Sequence, residues 1–202
     1  MLVPIAFACA FTGKGVVVLV GGSLFSEEIL STVKPFSQGQ MVVLNPNESS
    51  ASIARYEKAG FKIKPILSSS NLEKSLEGAG TICIPNVNVA EFLQTFHLDS
   101  CQNLFSKLLD KGVNFIGIDA GASLLGDPAF QGDKTGDGMG LIDAVVDFDH
   151  HVKNREIRLR NAYFSSHVQL GIGLDPGECI ILRDNLIEKK VGLPQVFLRE
   201  SG

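Results

Sequence analysis

The chain has 202 residues, of which 45% are apolar and 20% are charged, and it carries a net charge of −4. This length and composition predict one domain over residues 1–202 with a single sizeable core. No basic block or basic face accompanies the acidic balance, so we expect neither nucleic acid nor an anionic membrane surface as a partner.

The cysteines and the first residues bear on where the protein works. Cys9, Cys83, Cys101 and Cys179 are far apart and form no CxxC or Cys/His cluster, so we expect a reduced, cytoplasmic protein without a metal site or cofactor. The opening MLVPIAFACAF is apolar, but it is too short to span a bilayer and has no basic residue. It is therefore either part of the fold or a lipoprotein-like signal ending near Cys9.

Short apolar runs rich in β-branched residues alternate with helical patterns through the first half of the chain, as in a parallel sheet covered on both faces. The strands predicted there are 16–20, 41–44, 61–66, 81–84 and 113–118, and the helices are a first one capped by Ser26, then 49–59, 90–96 and 104–111. The Gly- and Asp-rich segment 131–140 is predicted to be an exposed loop. It precedes a strand at 144–148, a helix at 155–164 and strands near 168–174 and 179–183. This order predicts a doubly wound, mostly parallel α/β fold in three layers, with any site at the carboxyl ends of the strands.

The segment FIGIDAGASLLGD, residues 115–127, contains GxDxG directly after a predicted buried strand and before a helix. This pattern is typical of a nucleophile elbow, a sharp turn whose small neighbours let one side chain project at the end of the sheet. The projecting residue would be Asp119, with Gly117, Ala120 and Gly121 as its small neighbours. A second interpretation is that Asp119 only caps the following helix through its carboxylate.

A second polar segment, DAVVDFDHHVKNREIRLR, covers residues 143–160. On a continuous strand, Asp147, Asp149 and His151 would share one face. A histidine at a strand end is a candidate general base, so His151 is a candidate partner for Asp119. The two consecutive histidines would point to opposite faces and could not both bind one metal ion.

Together these motifs resemble the cyanophycinase and dipeptidase E family of serine peptidases. IGIDAGA is similar to the family's SAGA elbow, with Asp119 in the place of the serine, and DHHVKNREIRLR is similar to its DxHF stretch and following arginines. VVVLVGGS and GIGLDPGECIIL resemble the family's opening strand with its glycine turn and its later glycine-rich strand pair. The resemblance implies a flavodoxin-like, class I glutamine amidotransferase-like fold and a Ser/His/acid set that cleaves an amide bond near acidic residues.

Carried over residue by residue, the resemblance gives catalytic positions to Asp119, His151 and Asp137, with Asp133 as the other candidate for the third member. It places the substrate-binding region at six residues: Asn86, Asn88, Ala120, Asp149, Arg155 and Arg158. The ligand expected for such a site is a small peptide or another small molecule, and a homodimer is a further partner to test.

The sequence departs from the family's pattern in two places. Aspartate replaces the nucleophilic serine at position 119, and IPNVNVAEF replaces the family's GGxQ-type turn. Pro85 in that segment has no backbone N–H to stabilise an oxyanion. Ser123, one helical turn past the elbow, is expected to bond a backbone carbonyl instead of acting as the nucleophile. A carboxylate attacking an amide would give a mixed anhydride, so loss of peptidase activity is the favoured interpretation.

Two alternatives stay open. GxDxG with a later histidine also resembles the haloalkane dehalogenases and epoxide hydrolases, in which case Asp119 would attack a carbon atom and His151 would activate the water that hydrolyses the ester. In the other alternative the site is non-catalytic, Asp119 and His151 form a buried ion pair, and the pocket binds a ligand or a protein.

Overall fold

The computed structural model describes residues 14–37, 39–68 and 70–199. The apolar N-terminal segment around Cys9, and with it the choice between a signal and a part of the fold, lies outside these residues. The strands are β1 (Val17–Val20), β2 (Gln40–Leu44), β3 (Lys62–Ile66), β4 (Ala79–Ile84), β5 (Asn114–Ile118), β6 (Ala129–Gln131), β7 (Lys134–Gly136), β8 (Ala144–Phe148), β9 (Leu170–Leu174), β10 (Cys179–Arg183), β11 (Leu186–Val191) and β12 (Gln195–Leu198). The helices are α1 (Glu27–Val33), α2 (Ser50–Lys58), α3 (Leu72–Ser75), α4 (Val89–Phe96), α5 (Leu98–Asp110), α6 (Ala120–Leu125) and α7 (Glu156–Ser165).

The larger sheet has seven strands in the order β11-β10-β1-β5-β4-β2-β3. The five strands β1, β5, β4, β2 and β3 run parallel, and β10 and β11 form an antiparallel edge. The central strands are short and almost entirely buried, which is typical of parallel strands covered on both faces. Because their carboxyl ends meet at one edge of the sheet, the turn after β5 lies beside the turns after β1 and β4.

A second sheet of five strands has the order β12-β9-β8-β6-β7. The strands predicted at 144–148 and 168–174 belong to this sheet, so the fold contains two sheets where the sequence suggested one. Part of the predicted loop 131–140 is a hairpin, because β6 and β7 pair in antiparallel fashion across a two-residue turn. Gly132 in that turn has a φ of 69°, a conformation that tight hairpin turns favour. The prediction of an irregular loop over this stretch was therefore wrong.

The apolar residues form three layers of core around the two sheets. Side chains of α1 and α2 cover one face of the larger sheet, in a cluster that includes Ile29, Val33 and Tyr56. The helices α4, α5 and α6 fill the space between the two sheets, and α7 covers the outer face of the second sheet. None of the helices formed by residues 14–37, 39–68 and 70–199 is long and apolar enough to cross a membrane.

Helix α6 lies at the centre of the molecule and fixes the position of the site. All six of its residues, Ala120–Leu125, are buried. It packs between β5 on one side and β8 of the second sheet on the other. The sequence AGASLL suits this place because small residues allow a helix to approach two sheets closely. The residue that precedes this helix is Asp119.

Candidate active site

The turn between β5 and α6 has the geometry of a nucleophile elbow. Asp119 has φ 51° and ψ −113°, a backbone conformation outside the regions that side-chain-bearing residues normally adopt. The turn is held on both sides, because the Asp119 N–H donates to the Val20 carbonyl at 2.9 Å and its carbonyl accepts from the Ser123 N–H at 3.1 Å. Such strain costs about 1–3 kcal/mol and persists only where the surrounding structure enforces it.

The two glycines of GxDxG are needed for steric reasons. A Cβ atom on Gly121 would lie 2.0 Å from the carbonyl oxygen of Ile84 at the end of β4. A Cβ atom on Gly117 would lie 2.6 Å from the Cα of Ala122. Both glycines therefore allow α6 to begin directly against the strand ends, which is the close approach that an elbow requires.

The Asp119 carboxylate faces the turn after β1. Its Oδ1 accepts a hydrogen bond from the Gly22 N–H at 2.6 Å. Burial raises the pKa of this carboxyl, and the negative charge of Asp149 raises it further, against the opposing effects of the Gly22 hydrogen bond and the Lys153 charge. The sequence pointed to the glycine turn VGG only through its resemblance to the family's opening strand, whereas in the structure this turn supplies a donor to Asp119. The carboxylate is thus held by a hydrogen bond, in surroundings that raise its pKa.

Asp149 and Lys153 form the charged rim of this region. Lys153 Nζ lies 2.5 Å from Asp149 Oδ2. The strand predicted at 144–148 is confirmed as β8, and a continuous strand that would carry Asp149 and His151 on one face is not formed, because Asp149 adopts a left-handed conformation with φ 51°. A tight turn follows, so alternation along a strand no longer decides where these side chains point.

His151 pairs with two carboxylates, and neither belongs to Asp119. Its Nδ1 lies 2.7 Å from Asp175 Oδ2, and its Nε2 lies 3.5 Å from Glu156 Oε1. The side chain is 45% exposed. Among the described residues, the buried ion pair between Asp119 and His151 that the sequence suggested is not formed. The preceding histidine, His150, is fully buried, and its Nε2 pairs with the side chain of Gln195.

Asp175 is a site residue that the sequence did not reveal. It lies just after β9, and its carboxylate accepts the backbone N–H groups of His151 and Val152 as well as contacting the His151 ring. Burial opposes ionisation, but these hydrogen bonds and the His151 charge outweigh it and lower the pKa of Asp175. Its backbone adjoins the VGG turn, since a Cβ on Gly21 would lie 2.3 Å from the Asp175 carbonyl oxygen. The only signal in the sequence was its place in GLDPGE, a segment that otherwise looks like a simple turn.

The two arginines proposed for substrate binding bond to the protein itself. Arg158 donates through Nε to Asp147 Oδ2 at 2.9 Å, contacts Asp147 through a second nitrogen, and donates to the Gly132 carbonyl at 2.7 Å. Arg155 donates to the Phe148 carbonyl at 2.7 Å. Asp147 is fully buried, so the charge of Arg158 compensates it. In this structure both guanidinium groups therefore tie α7 to β8.

The segment after β4 lies beside the elbow. Asn88 caps α4, because its side-chain oxygen accepts the Glu91 N–H at 3.1 Å. Asn86 is exposed and borders two clefts that meet at the elbow. Ala120 lines the cleft on the side of the second sheet. Pro85 lines the other cleft together with Asp119, so a residue without a backbone N–H lies beside the candidate nucleophile.

The remaining candidates form no side-chain hydrogen bond or ion pair with the Asp119 carboxylate among the described residues. Ser123 is fully buried, and its hydroxyl oxygen accepts the Phe130 N–H at 2.8 Å, whereas the sequence suggested a bond to a carbonyl. Asp137 is exposed, and the Asp133 side chain is fully exposed at the tip of the hairpin with an Arg158 nitrogen 3.6 Å away. Within the described ranges, no group of three or more His, Cys, Asp or Glu side chains is arranged to hold a metal ion.

Comparison with known proteins identifies the fold. No protein-family model matches the sequence, and no curated protein matches it either. Among solved structures, a peptidase from an acI-B1 Actinobacterium superposes with a TM-score of 0.64 at 15% identity, covering 92% of this chain and 88% of that one. A putative peptidase E protein from Listeria monocytogenes EGD-e gives a TM-score of 0.62 at 13% identity, covering 91% of this chain and 99% of that one.

The fold is therefore an α/β fold with a mostly parallel sheet, of the flavodoxin-like, class I glutamine amidotransferase-like type found in the peptidase E proteins. This confirms the fold class predicted from the sequence. At 13–15% identity the likeness concerns the fold alone, so the chemistry has to be argued from the residues at the elbow.

Proposed function

We propose that this chain is a peptidase E-like hydrolase scaffold that has lost serine peptidase activity and uses the clefts at its elbow to bind a small peptide or another small molecule. The observation that carries the proposal is the state of Asp119. It occupies the strained position of a nucleophile, yet it is a carboxylate held by the Gly22 N–H. The scaffold for presenting an attacking atom is kept, and the attacking hydroxyl is gone.

Two further observations support loss of amide hydrolysis. A carboxylate that attacks an amide must form a mixed anhydride, which is more activated than the bond it replaces, whereas serine forms an ester. The candidate base, His151, is bonded to Asp175 and Glu156, and no ion pair or hydrogen bond joins it to Asp119 within the part of the chain that the structure describes. With a carboxylate at position 119, neither an activated nucleophile nor a stable acyl intermediate is provided for.

One observation favours a second function, attack by Asp119 on carbon. The strained backbone at Asp119 is retained, although it would cost about 1–3 kcal/mol in a turn with no use for it. In this chemistry a carboxylate oxygen displaces a halide or opens an epoxide to form an alkyl ester. Water activated by a base such as His151 then cleaves that ester and regenerates the carboxylate.

The test is a hydrolysis panel run on the native protein, Asp119→Ser and Asp119→Ala. The panel contains aspartyl peptides, a cyanophycin-like polymer, simple esters, epoxides and chloroalkanes. The proposal expects a silent native protein and ester or peptide hydrolysis by Asp119→Ser, because the elbow then presents a hydroxyl.

Turnover by the native protein that Asp119→Ala abolishes would refute the proposal. If that turnover is confined to epoxides or chloroalkanes, the second function is correct. In that case mass spectrometry of the peptide containing Asp119 should detect the alkyl ester during turnover.

A further inference from the structure

The cleft on the β1 and β2 side of the elbow has a shape and lining suited to a small polar ligand. Its volume is about 310 Å³, at the lower end of the range for small-molecule sites. The buried side chains of Leu24, Tyr56 and Ile118 form part of its wall. The partly buried Asp119 carboxylate also lines the cleft. Its size fits a ligand of about one amino-acid residue with an apolar body.

A second carboxylate, Glu48, lines the same cleft. Its Oε2 accepts a hydrogen bond from the Asn45 side chain at 3.2 Å, whereas its buried Oε1 has no hydrogen-bond partner within residues 14–37, 39–68 and 70–199. A carboxylate oxygen without a donor is costly in such a place. Rotation about the last side-chain bond, which is soft in glutamate, can turn either oxygen toward the cleft. Two carboxylates in one cleft favour a cationic hydrogen-bond donor as the ligand group.

An arginine at the rim adds the opposite charge. Arg55 is exposed, lines the cleft, and its guanidinium carbon lies 4.8 Å from the centre of the Phe25 ring. The stacking holds the guanidinium beside the opening without using its N–H groups. Among the described residues Arg55 forms no ion pair with a carboxylate. The N–H groups of its guanidinium therefore remain available to bind the carboxylate of a ligand.

We propose that this cleft binds a free amino acid with an apolar side chain, whose ammonium group contacts Glu48 and Asp119 and whose carboxylate is bound by Arg55. The proposal rests on the proposed function, because it assigns the elbow aspartate to recognition instead of chemistry. A serine hydroxyl at this position would not attract an ammonium group in the same way. In this proposal the aspartate that replaces the nucleophile binds the ligand and takes part in no reaction.

The experiment is isothermal titration calorimetry of the native protein with three matched probes. L-leucine carries both charged groups, L-leucinamide carries only the ammonium group, and N-acetyl-L-leucine carries only the carboxylate. We expect saturable binding of L-leucine and at least tenfold weaker binding of each of the other two, since each lacks one of the two charged groups that form hydrogen bonds and tenfold in affinity is about 1.4 kcal/mol.

Charge-removing variants assign each contact. Glu48→Gln and Asp119→Asn keep the size of the side chain and should each weaken L-leucine binding at least fivefold. Arg55→Gln should weaken binding of L-leucine and leave that of L-leucinamide unchanged. Glu57→Gln, on an exposed position of the same helix as Arg55, is the matched control and should bind like the native protein.

Two results would overturn the inference: no saturable binding of L-leucine, or binding that all three cleft variants leave intact. Thermal unfolding of each variant shows whether a loss of binding reflects a loss of fold. Turnover by the native protein in the hydrolysis panel is the separate result that would refute the proposed function. A native protein that is silent in that panel and does not bind L-leucine would refute only the amino-acid site.

Discussion

The strain at Asp119 can be measured by comparing two truncations of its side chain. Asp119→Ala and Asp119→Gly both remove the carboxylate and its bond to Gly22. They differ in that alanine must still adopt φ 51° and ψ −113°, whereas glycine reaches that region without strain.

The expected difference follows from two opposing terms. Relief of the backbone strain favours the glycine variant by about 1–3 kcal/mol. The greater freedom of glycine in the unfolded chain offsets about 0.4–1 kcal/mol of this. We therefore expect Asp119→Gly to be more stable than Asp119→Ala by about 1 kcal/mol, or ~3 °C in the melting temperature of a protein of this size.

Urea unfolding at equal m-values, supported by thermal unfolding, measures this difference. The control is Ala54→Gly at an exposed position inside α2, where the same exchange should destabilise by about 1 kcal/mol. An Asp119→Ala variant that is as stable as Asp119→Gly would refute the reasoning, because the turn would then not impose the elbow conformation in solution.

Three further predictions concern charge and packing around the elbow. Burial and the charge of a neighbouring aspartate raise the pKa of Asp119 in the folded protein. The stability contributed by protonated Asp119 is therefore fully present below the pKa that this group has in the unfolded chain. That stability is lost as the pH rises through the pKa of the folded protein. Asp119→Asn should therefore be more stable than the native protein at about pH 7 and no more stable at about pH 3, as urea unfolding at the two pH values would show. Gly121→Ala should lose about 1–3 kcal/mol, since its Cβ would meet the Ile84 carbonyl at 2.0 Å; an unchanged unfolding midpoint would contradict the packing described. Arg158→Gln should cost about 3 kcal/mol by leaving the buried Asp147 with only the long ion pair to Arg155 at 3.9 Å, and Asp147→Asn in the same chain should restore most of that loss. If Arg158 served only a ligand, the single variant would unfold like the native protein.

The elbow could be predicted from the sequence because its causes are local. GxDxG after an apolar run needs glycines on both sides of Asp119 for the same steric reason that the structure shows at Gly117 and Gly121. The central parallel strands were predicted for a similar reason, since continuous apolar runs mark strands that are covered on both faces. The strands β11 and β12 were missed, because LIEKKV is half charged and largely exposed on an edge and QVFL is short.

The surroundings of His151 could not be predicted, because they depend on contacts between distant segments. Alternation could decide its direction only on a continuous strand, and the strand predicted at 144–148 ends three residues before it, as β8 does. Its partner Asp175 is 24 residues further along the chain and lies on a different strand end. The polar side of the cleft, with Glu48 and Arg55, arises from α2 and the segment between β2 and α2, which the sequence marked only as structure.

The most direct test of the central claim is reaction with a fluorophosphonate ester, followed by peptide mapping of the native protein and of Asp119→Ser. An activated serine hydroxyl displaces fluoride from phosphorus and keeps the phosphonyl group, so the label reports a serine presented by an elbow. The account predicts no label on the native protein and a label at position 119 in the variant. A label on a serine of the native protein, or an unlabelled variant that is folded, would contradict the claim that this elbow is intact and has lost its nucleophile.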